Sequence, residues 1–118
     1  MKIELSATWT PSQQEFDLFA RISGDDNPIH VDPEFSARTA FGRTVSHGML
    51  IYTKLWGMLI ASHPEIRQNG QTMMFPNPCY TGETVELTIS GECPGTLSVR
   101  AARTADGAEL LVGETEVA

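Results

Sequence analysis

The chain has 118 residues and carries a formal net charge of −7, from 8 basic and 15 acidic side chains. This length fits one domain, and the 41% hydrophobic content is enough for one core. The negative charge argues against nucleic acid as a partner, because phosphate binding needs clustered lysines and arginines.

The first elements follow a strand-then-helix pattern. The apolar residues Ile3 and Leu5 alternate with polar ones in KIELSATWT and predict a short strand. TPSQQEFDLFARI predicts an amphipathic helix, with Thr10 as N-cap, Pro11 at the first position and Gln13 as the capping-box partner.

Two further helices are predicted before the chain changes character. Asp32 can cap a short helix that Pro33 begins. SHGMLIYTKLWGMLIASHP predicts the longest helix, with Ser46 as N-cap and Pro64 as its stop. Because this helix is apolar around most of its circumference, we expect it to be buried on most sides.

The second half of the chain reads as strands. The segments are QTMMFPNPCY, TVELTIS, TLSVRAART and ELLVGETEVA, and in the second Val85, Leu87 and Ile89 share one face. Asp106-Gly107 is a hairpin signal, so the sheet should be antiparallel. We predict an α+β fold over residues 1–118, with a curved antiparallel sheet wrapped around the long central helix.

Location and membrane contact are constrained by composition. The two cysteines, Cys79 and Cys93, form no CxxC motif, which favours reduced thiols. The first residues lack the apolar run of a signal peptide, and the longest apolar stretch, 49–61, is too short to span a bilayer. We therefore expect a cytoplasmic protein without a membrane partner.

The stretch SGDDNPIHVD carries the densest chemistry. Asp25 and His30 could meet over one pocket, because Asn27 and Pro28 stiffen the loop between them. An aspartate beside a histidine can orient it and exchange protons near neutral pH. On spacing alone, a turn-capping aspartate and an ordinary packed histidine explain the same residues at least as well.

A metal site is the other reading of this acidic stretch. The carboxylates lack the spacing of a calcium loop, and His30, His47 and His63 match no zinc pattern. We therefore expect no metal, and because the sequence has neither a phosphate loop nor a dinucleotide fingerprint, we expect no cofactor either.

The start of the long helix offers a second chemical feature. Backbone N–H groups at a helix N-terminus can stabilise a polarised carbonyl, and Gly48 would let a ligand approach closely. Plain capping and close packing explain His47 and Gly48 equally well. Several large side chains could line a pocket, although core packing is the simpler role for each: Trp56, Met58, Met73, Met74 and Phe75.

Three segments together resemble a known family. FARISGDDNPIHVD resembles the G-D-x-N-P-(I/L)-H signature of the MaoC-like, (R)-specific enoyl-CoA hydratases. AFGRTVSHGML resembles the segment that opens the family's central helix, and FPNPCYTGETVELTISGE resembles the strand–turn–strand after it. The resemblance runs from about Phe16 to the end of the chain.

The resemblance implies a hot-dog fold, a homodimer and reversible addition of water to trans-2-enoyl thioesters, giving (R)-3-hydroxyacyl thioesters. By position, it implies that Asp25 and His30 are catalytic and that the Gly48 N–H binds the carbonyl. It implies an acyl thioester of CoA or acyl carrier protein as substrate, and no metal. Side chains that could meet CoA phosphates are Arg21, Arg38, Arg43 and Lys54.

Two alternatives remain at this stage. A thioesterase on the same fold would also need a carboxylate near a helix N-terminus. A non-catalytic acyl-binding subunit would be expected to lack the aspartate or the histidine. The bulky Trp56 is a departure from the family pattern, and it leaves the depth of the acyl pocket open.

Overall fold

The computed structural model describes all 118 residues as five strands and four helices. In chain order these are β1 (Lys2–Trp9), α1 (Gln13–Ser23), α2 (Pro28–Val31), α3 (Pro33–Ala37), α4 (Gly48–Ser62), β2 (Gln68–Met74), β3 (Val85–Glu92), β4 (Gly95–Arg103) and β5 (Glu109–Val117).

The strands form one antiparallel sheet in the order β1-β3-β4-β5-β2. Helix α4 packs against β3, β4 and β5, so the long helix lies on the middle of the sheet. This confirms the predicted α+β fold. Strands β1 and β2 are the two edges, and β2 pairs with β5 alone.

Helix α4 is buried on one face only, so the expectation of burial on most sides is wrong for the single chain. Its exposed stripe is Met49, Thr53 and Gly57, and Met49 retains 49% of its surface. No atom lies within 4 Å of the place where a Cβ would stand on Gly57. Four side chains of α4 enter the core: Leu50, Ile51, Leu55 and Leu59.

The N-cap of α1 is Ser12, not Thr10 as predicted. The Ser12 hydroxyl accepts the Glu15 N–H (3.2 Å), and the Glu15 carboxylate accepts the Ser12 N–H (3.1 Å). Both Thr10–Gln13 and Ser12–Glu15 fit the capping-box spacing. The Glu15 carboxylate also accepts the Trp9 indole N–H (3.1 Å), a bond that ties this helix end to β1.

The N-cap of α4 is also displaced by one residue, from Ser46 to His47. Ser46 is used elsewhere: its N–H donates to the Cys79 carbonyl (2.8 Å) and its hydroxyl donates to the His47 carbonyl (2.9 Å). The bond to Cys79 docks the start of α4 on the segment that follows β2.

The predicted strand QTMMFPNPCY ends early, at Met74. Pro76 and Pro78 follow, and proline cannot donate to a strand ladder. The segment regains sheet-like pairing at one bridge, between Val45 and Tyr80. As for membranes, none of the four helices combines the length and apolar composition needed to cross a bilayer.

Candidate active site

The loop that carries the chemistry is shaped by the helix ends on either side of it. Helix α1 ends at Gly24, whose φ of 81° is left-handed and suits glycine. Asn27 is the N-cap of α2, where its side-chain oxygen accepts the N–H two residues on (3.2 Å), and Pro28 begins that helix. Asp25 therefore lies between two helices, and His30 lies on the second.

Asp25 and His30 face each other. His30 Nε2 lies 3.8 Å from Asp25 Oδ2, a separation too long for a direct hydrogen bond. His30 Nδ1 is 2.7 Å from the Val45 carbonyl, which can only accept, so Nδ1 carries a proton. Neutral His30 thus presents a lone pair at Nε2 toward the carboxylate. The Asp25 side chain is 56% exposed, whereas that of His30 is 10% exposed.

His47 stacks on His30 and binds the Asp25 backbone. The two ring centroids are 3.9 Å apart with an interplanar angle of 26°. His47 Nε2 donates to the Asp25 carbonyl (2.8 Å), while its buried Nδ1 has no partner. Burial lowers the pKa of His47; the bond to Asp25 opposes this, and the nearby His30 adds to it. His47 is thereby held as a neutral donor.

Polar groups far apart in sequence fix the backbone of His30. The Gln13 side chain donates to the His30 carbonyl (2.8 Å) and accepts the Thr44 hydroxyl (2.6 Å). The Val45 N–H donates to the carbonyl of Ile29 (2.9 Å). Sequence reasoning missed these residues, because nothing local marks a glutamine on α1 as a partner of a loop that follows it.

A cavity of about 270 Å³ opens beside this pair, at the first turn of α4. Within that turn the Leu50 N–H donates to the His47 carbonyl (3.2 Å), whereas the Gly48 N–H precedes the first intrahelical bond. His30 is not a lining residue but stacks on His47, which is one. The lining residues are Asp25, Ser46, His47, Gly48, Met49, Ile51, Phe75, Asn77, Cys79 and Leu110.

The side of Gly48 is covered by an aromatic ring. Three ring atoms of Phe75 lie 2.6–2.9 Å from where a Cβ on Gly48 would stand. Gly48 has no positive φ, so its backbone would accept alanine. The space around this glycine is therefore taken by the protein itself, which is the close-packing reading of the residue.

Three side chains could in principle hold a metal ion. Ligand atoms of Asp25, His30 and His47 lie within 4.8 Å of one another. However, His47 could bind only by giving up the hydrogen bond from Nε2 or by using its inward Nδ1. The set therefore suits hydrogen bonding better than tetrahedral metal coordination.

The cavity offers no activated nucleophile. Cys79 lies in its wall, but burial raises the pKa of that thiol to about 12. A thiol with this pKa is protonated at neutral pH and a poor nucleophile.

The region beside Trp56, between α4 and the sheet, is closed. It leaves about 0 Å³ for a water-sized group and is lined by Tyr52, Leu55, Trp56, Leu59, Ile89, Val99 and Thr115. A long acyl chain would have to displace side chains to enter it.

Two of the four basic side chains suggested for CoA phosphates are already paired. Lys54 Nζ lies 2.7 Å from Glu15, and Arg43 lies 2.9 Å from Glu83. Arg21 and Arg38 are exposed and have no ion-pair partner.

The chain is similar to several characterised proteins. It is 38% identical over 77 residues to an (R)-specific enoyl-CoA hydratase of Aeromonas caviae, covering 64% of this chain and 58% of that one. It is 45% identical over 100 residues to 3-hydroxyacyl-thioester dehydratase Z of Mycobacterium tuberculosis, covering 75% and 63% respectively. In these alignments the chain spans about three fifths of each curated relative.

The fold matches solved structures of the same kind. An (R)-hydratase from Aeromonas caviae involved in PHA biosynthesis superposes with a TM-score of 0.87 and 31% identity, over 98% of this chain and 92% of that one. This match confirms the hot-dog fold. The family model described as MaoC like domain matches residues 1–106. The chain therefore belongs to the MaoC-like domain family.

Proposed function

We propose that this protein is a lyase that adds water reversibly to trans-2-enoyl thioesters, giving (R)-3-hydroxyacyl thioesters. One observation carries the proposal: the Asp25 carboxylate and the His30 Nε2 lone pair face each other at 3.8 Å, beside a cavity that ends on the first turn of α4. The names of the relatives agree with this chemistry.

The pair suits a water molecule better than a direct contact. Both Asp25 Oδ2 and neutral His30 Nε2 are acceptors, and a water about 2.8 Å from each could donate one hydrogen to each. Both lone pairs of the water oxygen would then be free, and one of them could attack C3 of the enoyl group. One of the two residues takes the water proton, and the pair returns a proton to C2.

The first turn of α4 would meet the other end of the reacting group. As water attacks C3, the π electrons move toward the thioester oxygen, which gains negative charge. The Gly48 N–H and the positive end of the helix dipole favour that enolate-like state over the ground state.

The remaining predicted residues would act through the catalytic pair. Asn27 caps α2 and Pro28 begins it, so together they orient His30. His47 donates to the backbone carbonyl of Asp25 and stacks on His30. We assign these three as positioning residues, because none places a reactive atom between the carboxylate and Nε2.

The substrate, assembly and location belong to the same proposal. The thioester is carried by CoA or by acyl carrier protein, and Arg21 and Arg38 remain free to meet phosphate. A homodimer joined along β2 is supported by its unpaired edge. Two buried free cysteines, Cys79 and Cys93, fit a reducing cytoplasm. The proposed reaction uses no metal or other cofactor.

The test follows loss of enoyl absorbance with crotonyl-CoA and longer trans-2-enoyl-CoAs, with chiral analysis of the product. We expect (R)-3-hydroxyacyl-CoA, at a rate that EDTA leaves unchanged. Release of free CoA ahead of hydroxyacyl product would instead indicate a thioesterase. A folded protein that turns over no enoyl thioester, on CoA or on acyl carrier protein, would contradict the proposal.

Substitutions of Asp25 and His30 test the proposal further in the same assay. Asp25→Asn and His30→Ala should each reduce kcat by about 10²–10⁴-fold, the usual contribution of a general acid–base group. Asp26→Asn and His63→Ala are the matched controls, since each changes the same residue type away from the pair. Full activity in both test variants would show that Asp25 only caps a turn and that His30 only packs.

A further inference from the structure

Phe75 and Gly48 form a contact that the proposed reaction does not account for. Ring atoms Cζ, Cε1 and Cε2 of Phe75 lie 2.6, 2.7 and 2.9 Å from the position of a Cβ on Gly48. Real Cβ atoms essentially never show contacts this close, so a side chain at position 48 would require the ring to move from its place. The contact joins the end of β2 to the first turn of α4.

The ring stands in the wall of the cavity. Phe75 is 45% exposed, although it is a large apolar side chain next to buried Ile51 and Leu110 in the same wall. It lies on the side of the helix where a side chain at position 48 would project, whereas the Gly48 N–H belongs to the open end of the helix. The ring therefore borders the carbonyl site without occupying it.

We propose that Phe75 is a positioning residue, which walls the Gly48 N–H on one side and holds the thioester carbonyl against it. This inference rests on the proposed function for its catalytic part. The apolar ring keeps water away from the N–H on that side, and a hydrogen bond to a developing oxyanion is stronger where water is excluded. Gly48 is a glycine because of the ring, not because of the ligand.

Position 48 could require glycine because the ligand needs the space or because Phe75 needs it, and these two explanations predict different effects of alanine. If the ligand needs the space, alanine at position 48 harms activity whatever stands at position 75. If Phe75 needs the space, alanine is harmful only while the ring is present. Alanine keeps the N–H, and the backbone at position 48 accepts it.

The test is a double-mutant cycle with Gly48→Ala, Phe75→Ala and the double variant, assayed with crotonyl-CoA and octenoyl-CoA. We expect each single variant to lose about tenfold in kcat/KM, by similar factors for both substrates. In the Phe75→Ala background, Gly48→Ala should add less than about twofold. Phe75→Tyr should retain activity. Phe41→Ala is the control, because Phe41 is a similarly exposed phenylalanine (40% against 45%) outside the cavity.

Two results would overturn the inference. One is a loss of kcat/KM on Gly48→Ala that is equally large with and without the Phe75 ring, which would show that the ligand needs the space. The other is a Phe75→Ala loss that changes with chain length, which would make the ring an acyl-pocket wall.

A binding measurement keeps this test separate from that of the proposed function. Butyryl-CoA is a saturated thioester with the same carbonyl and cannot be hydrated. Its Kd, measured by calorimetry, should rise several-fold in Phe75→Ala and stay unchanged in Phe41→Ala. An unchanged Kd in Phe75→Ala would refute the positioning role even if the wild-type protein hydrated nothing.

Discussion

At the scale of single residues, His47 contacts both members of the Asp25–His30 pair. It donates to the Asp25 carbonyl, stacks on His30 and is only 2% exposed. A protonated ring in this place would lose hydration and repel a protonated His30. The fold therefore favours neutral His47. This preference affects both the stability of the protein and the position of Asp25.

His47 should make the protein less stable as pH falls. Its folded pKa is lowered, while the unfolded chain binds a proton near its ordinary value of about 6.5. Below that pH the unfolded state holds more protons, so the free energy of unfolding decreases as pH falls toward the folded pKa.

His47→Gln keeps a donor but cannot titrate in this range. Urea unfolding between pH 7.5 and pH 5 should show a smaller loss of stability in His47→Gln than in the wild type. Parallel stability curves for the two proteins would mean that His47 does not contribute to the pH dependence.

The sequence predicted that Asp25 and His30 face each other, as the structure shows, but not the contacts that hold them there. The Asp25–His30 loop could be predicted because Gly24, Asn27 and Pro28 act through local backbone rules. The role of the Val45 carbonyl and the ring of Phe75 could not, because both arise from packing between segments far apart in the chain.

At the scale of elements, the N-termini of α1 and α4 are capped in different ways. Ser12 and Glu15 form a reciprocal capping box, whereas His47 caps α4 without a side-chain bond. An uncapped first turn leaves N–H groups available for a ligand. The capping box therefore stabilises α1, whereas the free N–H groups at the start of α4 are available to the candidate active site.

Ser12→Ala should lower the free energy of unfolding by about 1 kcal/mol, because the Glu15 N–H loses its partner. Thr10→Ala is the matched control, since Thr10 bonds only an exposed hydroxyl of Thr84 (2.9 Å). Urea unfolding of both variants provides the measurement. A larger loss in Thr10→Ala would place the cap where the sequence pattern first suggested it.

The capping error has a clear physical origin. Thr10-Pro-Ser-Gln13 and Ser12-Gln-Gln-Glu15 overlap, and each satisfies the spacing rule. Tertiary partners of the carboxylate, Trp9 and Lys54, decide between them. Those partners lie on β1 and α4, so the choice depends on contacts that a local pattern does not contain.

In the proposed reaction, Trp56 would limit how far an acyl chain could run along α4, because the region around it is closed. Trp56→Ala should open space between helix and sheet. We expect kcat/KM for octenoyl-CoA to rise by at least about tenfold relative to crotonyl-CoA, since each accommodated methylene contributes about 1–3 kcal/mol. A chain-length profile identical to that of the wild type would show that the acyl chain takes another route.

At the scale of the whole molecule, one patch of exposed apolar side chains lies beside an open sheet edge. Strand β2 has a partner on one side only, and Met74 and Phe75 at its end are 62% and 45% exposed. Met49, on the outer stripe of α4, is 49% exposed. An unpaired edge flanked by apolar side chains favours association with another edge.

A charge at this edge should separate the subunits. We expect light scattering to give twice the monomer mass for the wild type and the monomer mass for Met74→Lys, because lysine blocks edge pairing. Ser6→Lys adds the same charge to β1, the other edge, and should leave the mass unchanged. A monomeric wild type, or dissociation by Ser6→Lys alone, would contradict assembly through β2.

Two hydrogen bonds hold the site together from outside the loop, and they determine whether the site could be moved to another protein. His30 is held by a carbonyl next to α4, and Asp25 is held by the residue that caps α4. Gly24, Asn27 and Pro28 form the local turns of the loop, but the placement of Asp25 and His30 also depends on a helix end that comes later in the chain. A peptide copy of residues 23–32, or the same loop grafted onto another scaffold, would carry the signature but not the geometry. The unit that could be transplanted is the loop together with the beginning of α4.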